Sequence, residues 1–365
     1  MNTFGQNVKI TISGESHSDF ISMVITGLPV GLHIDESLIQ DQLAKRRPHD
    51  ELTTARVEKD RYQFTTGLFS KSTTGGPLTV VVPNENVRKD DYANLHGIPR
   101  PGHADYPAMI KYPDFMNKTG GGMFSGRMTV LYVIIGAIAK QILNGKGIFV
   151  GSHILQIHKI KDRAFKPENV KNNIIDKLEK TDFPVIDESK EIKMRAEVLE
   201  AKAANDSIGG IIETAVIGLP VGVGEPLFDS VESTLSHLLF SIPAVKGVEF
   251  GDGFSFAKSF GSAVADGYLY NSEGKIVTFT NHNGGLLGGL STGMPVVVRT
   301  VIKPTSSIGI TQKSVNLITK APVNVTISGR HDPCIAIRGV HVVNAIIYFG
   351  ILDLVLGWEA SKARK

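Results

Sequence analysis

The pentapeptide Gly-Leu-Pro-Val-Gly occurs twice, at residues 27–31 and at 218–222, with the copies 191 residues apart in a chain of 365. Each copy follows a strand-like run, residues 21–25 and 211–217. Each also precedes a helical pattern. Asp35 is placed to cap the first helix, which carries Leu38, Ile39 and Leu43, and residues 230–239 form the second. A strand–turn–helix unit repeated half a chain later predicts two similar halves around a shared core. Residues 8–13 alternate apolar and polar side chains, the period of a half-buried strand, and residues 78–82, 295–302 and 323–327 also read as strands. Residues 129–143 and 341–356 read as long helices buried on most sides. Residues 158–202 are the most charged and least patterned, a surface excursion with an amphipathic helix near 171–180. Strands and helices cluster without regular βαβ alternation, so the expectation is an α+β layered fold forming a single domain over residues 1–365.

Charge narrows the partners. With 39 Lys and Arg against 36 Asp and Glu, the net charge is +3, too even to advertise nucleic acid or an anionic membrane. The N-terminus lacks a basic region followed by an apolar one, and the apolar stretches fall short of about 18 residues. A soluble, cytoplasmic protein is expected. One cysteine, Cys334, rules out an internal disulfide framework, and its safest reading is a small buried side chain. The 11 histidines form no H-x-x-x-H pair, so no metal site is read. Glycine is in excess, 38 residues, which points to many tight turns or close backbone approaches.

Five segments concentrate reactive side chains. Gly14-Glu15-Ser16-His17-Ser18 nearly matches a hydrolase nucleophile elbow, although only one strand precedes it. Arg46-Arg47-Pro48 closes the first helix, where cations complement the helix dipole. His103, between Pro101-Gly102 and Asp105, has the chemistry of an acid or base. The glycines of 120–122, followed by Ser125 and Arg127, lead into a helix start, a place for phosphate or carboxylate that is not a P-loop. Gly329-Arg330-His331-Asp332-Pro333-Cys334 joins a cation, an imidazole, a carboxylate and the thiol. Two further loops suit a cofactor: residues 281–289, whose bare backbone would admit a flat ring, and Lys303-Pro304-Thr305-Ser306-Ser307, suited to a phosphate. Together they describe an enzyme for anionic small molecules.

The set resembles the chorismate synthase family almost end to end. The matching segments are F-G at 4–5, G-E-S-H at 14–17, R-R-P at 46–48, T-T-G at 73–75, R-P-G-H-A-D-Y-P at 100–107 and F-S-G-R at 124–127. They continue with D-S-I-G-G at 206–210, A-V-K-G-V-E at 244–249, G-G-L-L-G-G at 284–289, K-P-T-S-S at 303–307 and R-H-D-P-C at 330–334. The resemblance implies a β-α-β sandwich, with a helical layer between two antiparallel sheets, assembled as a homotetramer. It implies a lyase that converts 5-enolpyruvylshikimate 3-phosphate to chorismate by 1,4-anti elimination of phosphate, dependent on reduced FMN. NADPH would enter only indirectly, for flavin reduction by a separate reductase.

By the same resemblance, His17 would protonate the departing phosphate, His103 the reduced flavin near N1, and Asp332 would relay the proton around flavin N5. Ser16, Arg46, Arg100, Ser125, Arg127 and Arg330 would bind substrate. Arg46, Arg127, Met128, Thr129, Ala244, Gly288, Lys303, Pro304, Thr305, Ser306, Ser307 and Arg330 would hold the flavin. The chain departs from the family pattern at Ser18, Leu52, Pro243 and Asn344, and Leu52 stands where a basic residue is expected. Two other readings remain open at this point: a serine hydrolase built on Ser16 and His17, and a non-catalytic flavin binder.

Overall fold

In the computed structural model, which describes residues 2–48, 51–53, 59–85, 97–112, 121–327 and 332–363, the two pentapeptides make the same turn. Gly27 and Gly218 sit at φ +87° and +78°, Gly31 and Gly222 at +76° and +83°. A Cβ on Gly27 would lie 1.9 Å from the Asn7 carbonyl oxygen, and one on Gly218 would lie 2.1 Å from that of Gly147. Only glycine fits either place. The Gly31 N–H donates to the Thr73 carbonyl and the Gly222 N–H to the Ser291 carbonyl, both at 2.8 Å. The Thr73 and Ser291 hydroxyls accept from the N–H of Leu32 and Val223, both at 2.9 Å, and donate to the carbonyls of Pro29 and Pro220. Thr73-Thr74-Gly75 and Ser291-Thr292-Gly293 are therefore a second repeated motif, visible only once the turns are seen to hold it.

The first half runs β1 (Thr3–Phe4), β2 (Lys9–Gly14), β3 (Phe20–Thr26), α1 (Glu36–Arg46), β4 (Gln63–Thr66), β5 (Leu78–Pro83), α2 (Asp105–Lys111) and α3 (Thr129–Asn144). The second runs β6 (Phe149–Ile157), β7 (Ile160–Lys161), α4 (Asn172–Glu179), α5 (Glu188–Ala203), β8 (Gly210–Ile217), α6 (Val231–Phe240), β9 (Val245–Phe250), β10 (Val296–Ile302) and α7 (Ala336–Ala363). Both sheets are antiparallel, in the orders β1-β2-β3-β5-β4 and β9-β10-β8-β6-β7. Four strands correspond in sequence and in space: β2, β3, β5 and β4 with β6, β8, β10 and β9. Helix α1 matches α6, and α3 matches α7.

Alternation decides which face of each strand is buried. In β3, Ile21, Met23 and Ile25 are wholly buried; in β10, Val296, Val298 and Ile302 turn the same way. These faces join α1, α3, α6 and α7 in one core cluster, so the helices form the filling between two sheets. Helix α7, and α3 together with the turn Gly126–Met128 before it, are long and apolar enough to cross a membrane, longer than the sequence led one to expect. In each, 78% of the apolar window is buried inside the protein, as in the centre of a sandwich. They meet at Gly136, where a Cβ would stand 2.5 Å from the Ala345 Cβ. The one buried carboxylate of α7, Asp353, accepts backbone N–H groups from Gln6, Asn7 and Val8 and so ties the N-terminal turn to the helix.

Three expectations are corrected. Helix α7 begins five residues before position 341 and continues well past 356, because Ala336, Ile337 and Val340 extend its buried face. The strand expected at 323–327 is Ala321–Val325, in a hairpin with Gln312–Asn316. Residues 158–202 are more ordered than an excursion. The amphipathic helix expected near 171–180 is α4, α5 follows it, and Phe165, Val170, Ile175 and Leu178 build a small second core with Ala215, Ile217 and Val297 on the outer face of β8 and β10.

An ionic ladder crosses that outer face. His153, fully buried, has Nδ1 3.2 Å from Asp162 and Nε2 3.0 Å from Glu213, while Glu213 also takes Arg299 Nε at 2.9 Å. Carboxylates only accept, so both ring nitrogens donate and the imidazole is charged. Burial opposes that charge, but the bonds to Asp162 and Glu213 outweigh it and raise His153 above 6.5. Against the same burial, these bonds hold Asp162 and Glu213 low.

Two predictions follow from this packing. Gly136→Val forces α3 and α7 apart and lowers stability by about 1–3 kcal/mol, read from the urea midpoint. A raised histidine stabilises fully below its unfolded value of about 6.5 and loses that contribution as pH rises through its folded value. Depressed carboxylates do the reverse, losing theirs as pH falls below about 4.5. The urea midpoint therefore declines on both sides of a mildly acidic optimum, and His153→Gln removes the part of the alkaline decline that His153 causes.

Candidate active site

A cavity of about 820 Å³ opens where the two halves meet. Its walls come in corresponding pairs. The C-terminal end of α1 supplies Arg46 and that of α6 supplies residues 240–244; the exit of β10 supplies residues 302–307. The turn into α3 supplies Ser125, Arg127 and Thr129, and the approach to α7 and its first turns supply Asp332 and Arg338. The segment before α2 adds Arg100 and His103 from the side. Helix ends and strand exits leave backbone groups and the polar side chains that cap them, which is why a site forms at this junction.

Most side chains here are held by named partners. Ser125 caps the turn into α3 by accepting from the Arg127 N–H at 3.2 Å. Arg100 grips Asp105 with Nε at 2.7 Å and Nη2 at 2.8 Å. Burial pushes the Asp105 carboxyl up, but this paired grip outweighs it and holds it below the usual range. Gly102, at φ +71°, lets the 303–306 loop close in: a Cβ there would stand 2.6 Å from Ser306 Oγ. Lys303 Nζ donates to the Gly102 carbonyl at 2.6 Å and to Ser306 Oγ at 2.8 Å. Burial and the neighbouring Lys246 lower Lys303 from its ordinary value.

His103 bridges two segments. Its Nδ1 lies 3.1 Å from the Pro101 carbonyl, which can only accept, so Nδ1 carries the proton. Nε2 faces Ser307 Oγ at 2.8 Å. Burial, then the Arg100 charge, lowers His103 below 6.5. Asp332 pairs with Arg338 Nη1 at 3.0 Å, and Arg338 Nε donates to the Arg46 carbonyl at 2.9 Å. Deeper in, Asp60 takes Arg46 on one oxygen and Arg127 on the other. Among the described lining residues, six cations (Arg46, Arg100, Arg127, Lys246, Lys303, Arg338) face three carboxylates (Asp60, Asp105, Asp332). The cavity is built for anions.

Arg46, Arg100, His103, Ser125, Arg127, Thr129, Ala244, Asp332 and residues 303–307 all line it. Four expected residues do not. Ser16 and His17 are not among the described lining residues: Ser16 is fully buried, its N–H donates to the Gly122 carbonyl, and its Oγ lies 2.8 Å from His17 Nδ1. A fully buried serine is no exposed elbow, which removes the structural basis for the hydrolase reading. Met128 packs into the core. Gly288 lies on an exposed hairpin tip, beside Gly289, whose carbonyl accepts from Val231 at the start of α6. The cavity uses the other end of that helix, and ten residues of α-helix put about 15 Å between them. Arg330 lies outside the described residues.

The departures from the family pattern fall away from the chemistry, except one. Ser18 closes its own turn by bonding to Glu15 and Phe20 backbone, Leu52 is buried in the core, and Asn344 donates to Val150 O and Ser152 Oγ between α7 and β6. Pro243 lines the cavity. Cys334 is wholly buried, and burial pushes its thiol up to about 12, so it is inert. Asp60 and Arg338 were not singled out from the sequence, because each looks like one more charge until its partner is known, and Asp105 was noted only as a neighbour of His103 rather than as the partner of Arg100.

A paired-half sandwich with a cationic, water-accessible cavity at the junction defines an enzyme for small polyanions. The family profile described as chorismate synthase matches residues 8–356. A chorismate synthase from Lancefieldella parvula is 39% identical, with 99% of this chain and 97% of that protein covered. One from Methanobrevibacter smithii is 41% identical over 96% and 95%. A crystal structure of chorismate synthase shares the fold with a TM-score of 0.74 at 23% identity, covering 97% of this chain and 93% of that one. The chain belongs to the chorismate synthase family, carbon–oxygen lyases.

The site geometry makes one prediction about protonation. In an NMR titration of the ligand-free protein, His103 has its midpoint below 6.5; a midpoint at or above 6.5 means that burial and Arg100 do not control it.

Proposed function

We propose that this chain eliminates phosphate from 5-enolpyruvylshikimate 3-phosphate to form chorismate, using reduced FMN bound in the cavity at the junction of the halves. The observation that carries the reading is the surplus of fixed cations around His103 and Asp332 in one cavity. Substrate and flavin phosphate are both polyanions, and cations in a partly buried site stabilise a departing phosphate more strongly than in water.

The residues present suit a flavin. Ile242, Val245, Ile335 and Val342 give one apolar side against which a ring system can lie, and Lys303, Thr305, Ser306 and Ser307 give a polar side for a phosphate and ribityl chain. Ala244, Arg46, Arg127 and Thr129 complete the lining assigned to it. When bound, reduced flavin supplies transient electron density as the phosphate leaves. His103, with its Nδ1 held by the Pro101 carbonyl, can take a proton on Nε2 and return it, and the burial and Arg100 charge that lower it favour its giving that proton up. Asp332 is kept oriented by Arg338, and Arg100 by Asp105, so neither needs to reorganise when ligand arrives. His17 is outside the lining, and its assignment to the departing phosphate rests on its motif.

The wider reading comprises a single functional domain in the cytoplasm, a separate flavin reductase using NADPH, and a homotetramer. Leu227, Phe228, Phe254 and Phe260 are each more than four-fifths exposed on the second half, the kind of apolar surface that copies of a chain cover.

The test is anaerobic incubation of purified protein with substrate and chemically reduced FMN, reading phosphate release and chorismate absorbance. No release sinks the proposal. His103→Ala and Asp332→Ala each lower kcat by about 10²-fold or more while changing flavin affinity far less. His17→Ala with undiminished kcat removes His17 from the mechanism.

A further inference from the structure

Asp60 presents a contradiction in a cavity for polyanions. It lines the wall, yet a carboxylate there repels the ligand. Its side chain is 1% exposed and its backbone is left-handed, at φ +49°, a conformation that favours Asp and Asn among non-glycine residues. Something must offset both the strain and the repulsion.

The offset is visible in its partners. Oδ2 takes Arg46 Nη1 at 3.1 Å, with Arg47 Nε at 3.8 Å, and Oδ1 takes Arg127 Nη1. Arg46 comes from the end of α1 and Arg127 from the turn into α3, so Asp60 is the charge that joins two separately delivered cations. Neutral acceptors fix the other edges. Arg46 Nε donates to Thr129 Oγ1 at 3.1 Å and its Nη2 to the Gly126 carbonyl at 3.2 Å. Arg127 Nε donates to Asn84 Oδ1 and its Nη2 to the Pro83 carbonyl, both at 3.1 Å. Those bonds set the plane of each guanidinium. They cannot offset the repulsion between two buried cations; among the described residues, the shared Asp60 carboxylate does that.

We propose that Asp60 is a positioning residue for anion binding: it holds Arg46 and Arg127 at a set spacing on one wall, so that both meet the same anionic ligand. This rests on the reading that these two arginines bind the substrate. Asp60 touches no reacting atom and acts only through them.

The experiment compares parent enzyme, Asp60→Asn and Asp60→Glu in the anaerobic assay, with inorganic phosphate binding measured by calorimetry. Asn keeps the shape and tolerates the left-handed backbone but loses the charge. Its KM for 5-enolpyruvylshikimate 3-phosphate rises at least 10-fold with kcat changed less than 5-fold, and phosphate binding weakens to match. Glu keeps the charge one methylene out of place and gives an intermediate KM, which also covers the case in which the Asn variant does not fold. Unchanged KM in a folded variant of an active parent overturns this inference alone. So does tighter phosphate binding, which would make Asp60 a competitor of the ligand rather than its organiser. An inactive parent sinks the functional reading, and this inference with it.

Discussion

Two helices that are apolar on nearly every side impose the architecture. Helices α3 and α7 cannot present a face to water, and a single sheet covers only one side of a helix layer. A second sheet has to close the other side. Duplication supplies it, because each half brings a four-stranded antiparallel core, a short helix after its second strand and a long helix after its last. The close approach at Gly136 and Ala345 then sets how near the long helices lie, and the inner faces of both sheets follow from that spacing.

The same duplication makes the site. Equivalent ends of the two halves converge at one junction: the ends of α1 and α6, the exit of β10, and the starts of α3 and α7. Helix and strand ends are where backbone polarity is left over, so an anion cavity there needs only cations delivered from several segments. The two halves differ in what they bring. The first supplies Arg46, Arg100 and Arg127, while the second supplies the hydroxyl loop at 303–307 and the Asp332–Arg338 pair. Charge in the cavity is managed by pairing, with Asp60, Asp105 and Asp332 each holding an arginine in place. Reorganisation on ligand binding is thereby reduced.

Much of the fold was legible beforehand. The repeated pentapeptide signalled two halves because its glycines need positive φ and close backbone contact in both. Alternation marked β2, a strand-like run before the first pentapeptide marked β3, and apolar runs marked α3 and α7. In the region 158–202 the amphipathic helix near 171–180 was legible as α4, but α5 was not, since it buries only a narrow stripe and carries charge on the rest. Arg46, Arg100, His103, Ser125, Arg127 and Asp332, which the structure brings to one cavity, all stand in short motifs that the sequence shows. Gly288 is not among those residues: its loop has the chemistry for a flat ring but lies at the other end of α6.

The sequence alone determined what each segment does locally: where glycine must turn the chain, which strand faces are apolar, and which loops gather Arg, His and hydroxyl groups. Those properties depend on neighbours within a few residues, so periodicity and composition express them. Only the tertiary structure decided which charges meet. Asp60 with Arg46 and Arg127, His153 with Glu213, and Arg338 with the Arg46 carbonyl join positions far apart in the chain. Pairing energy depends on distance in space and on burial, and neither is written in the order of the residues.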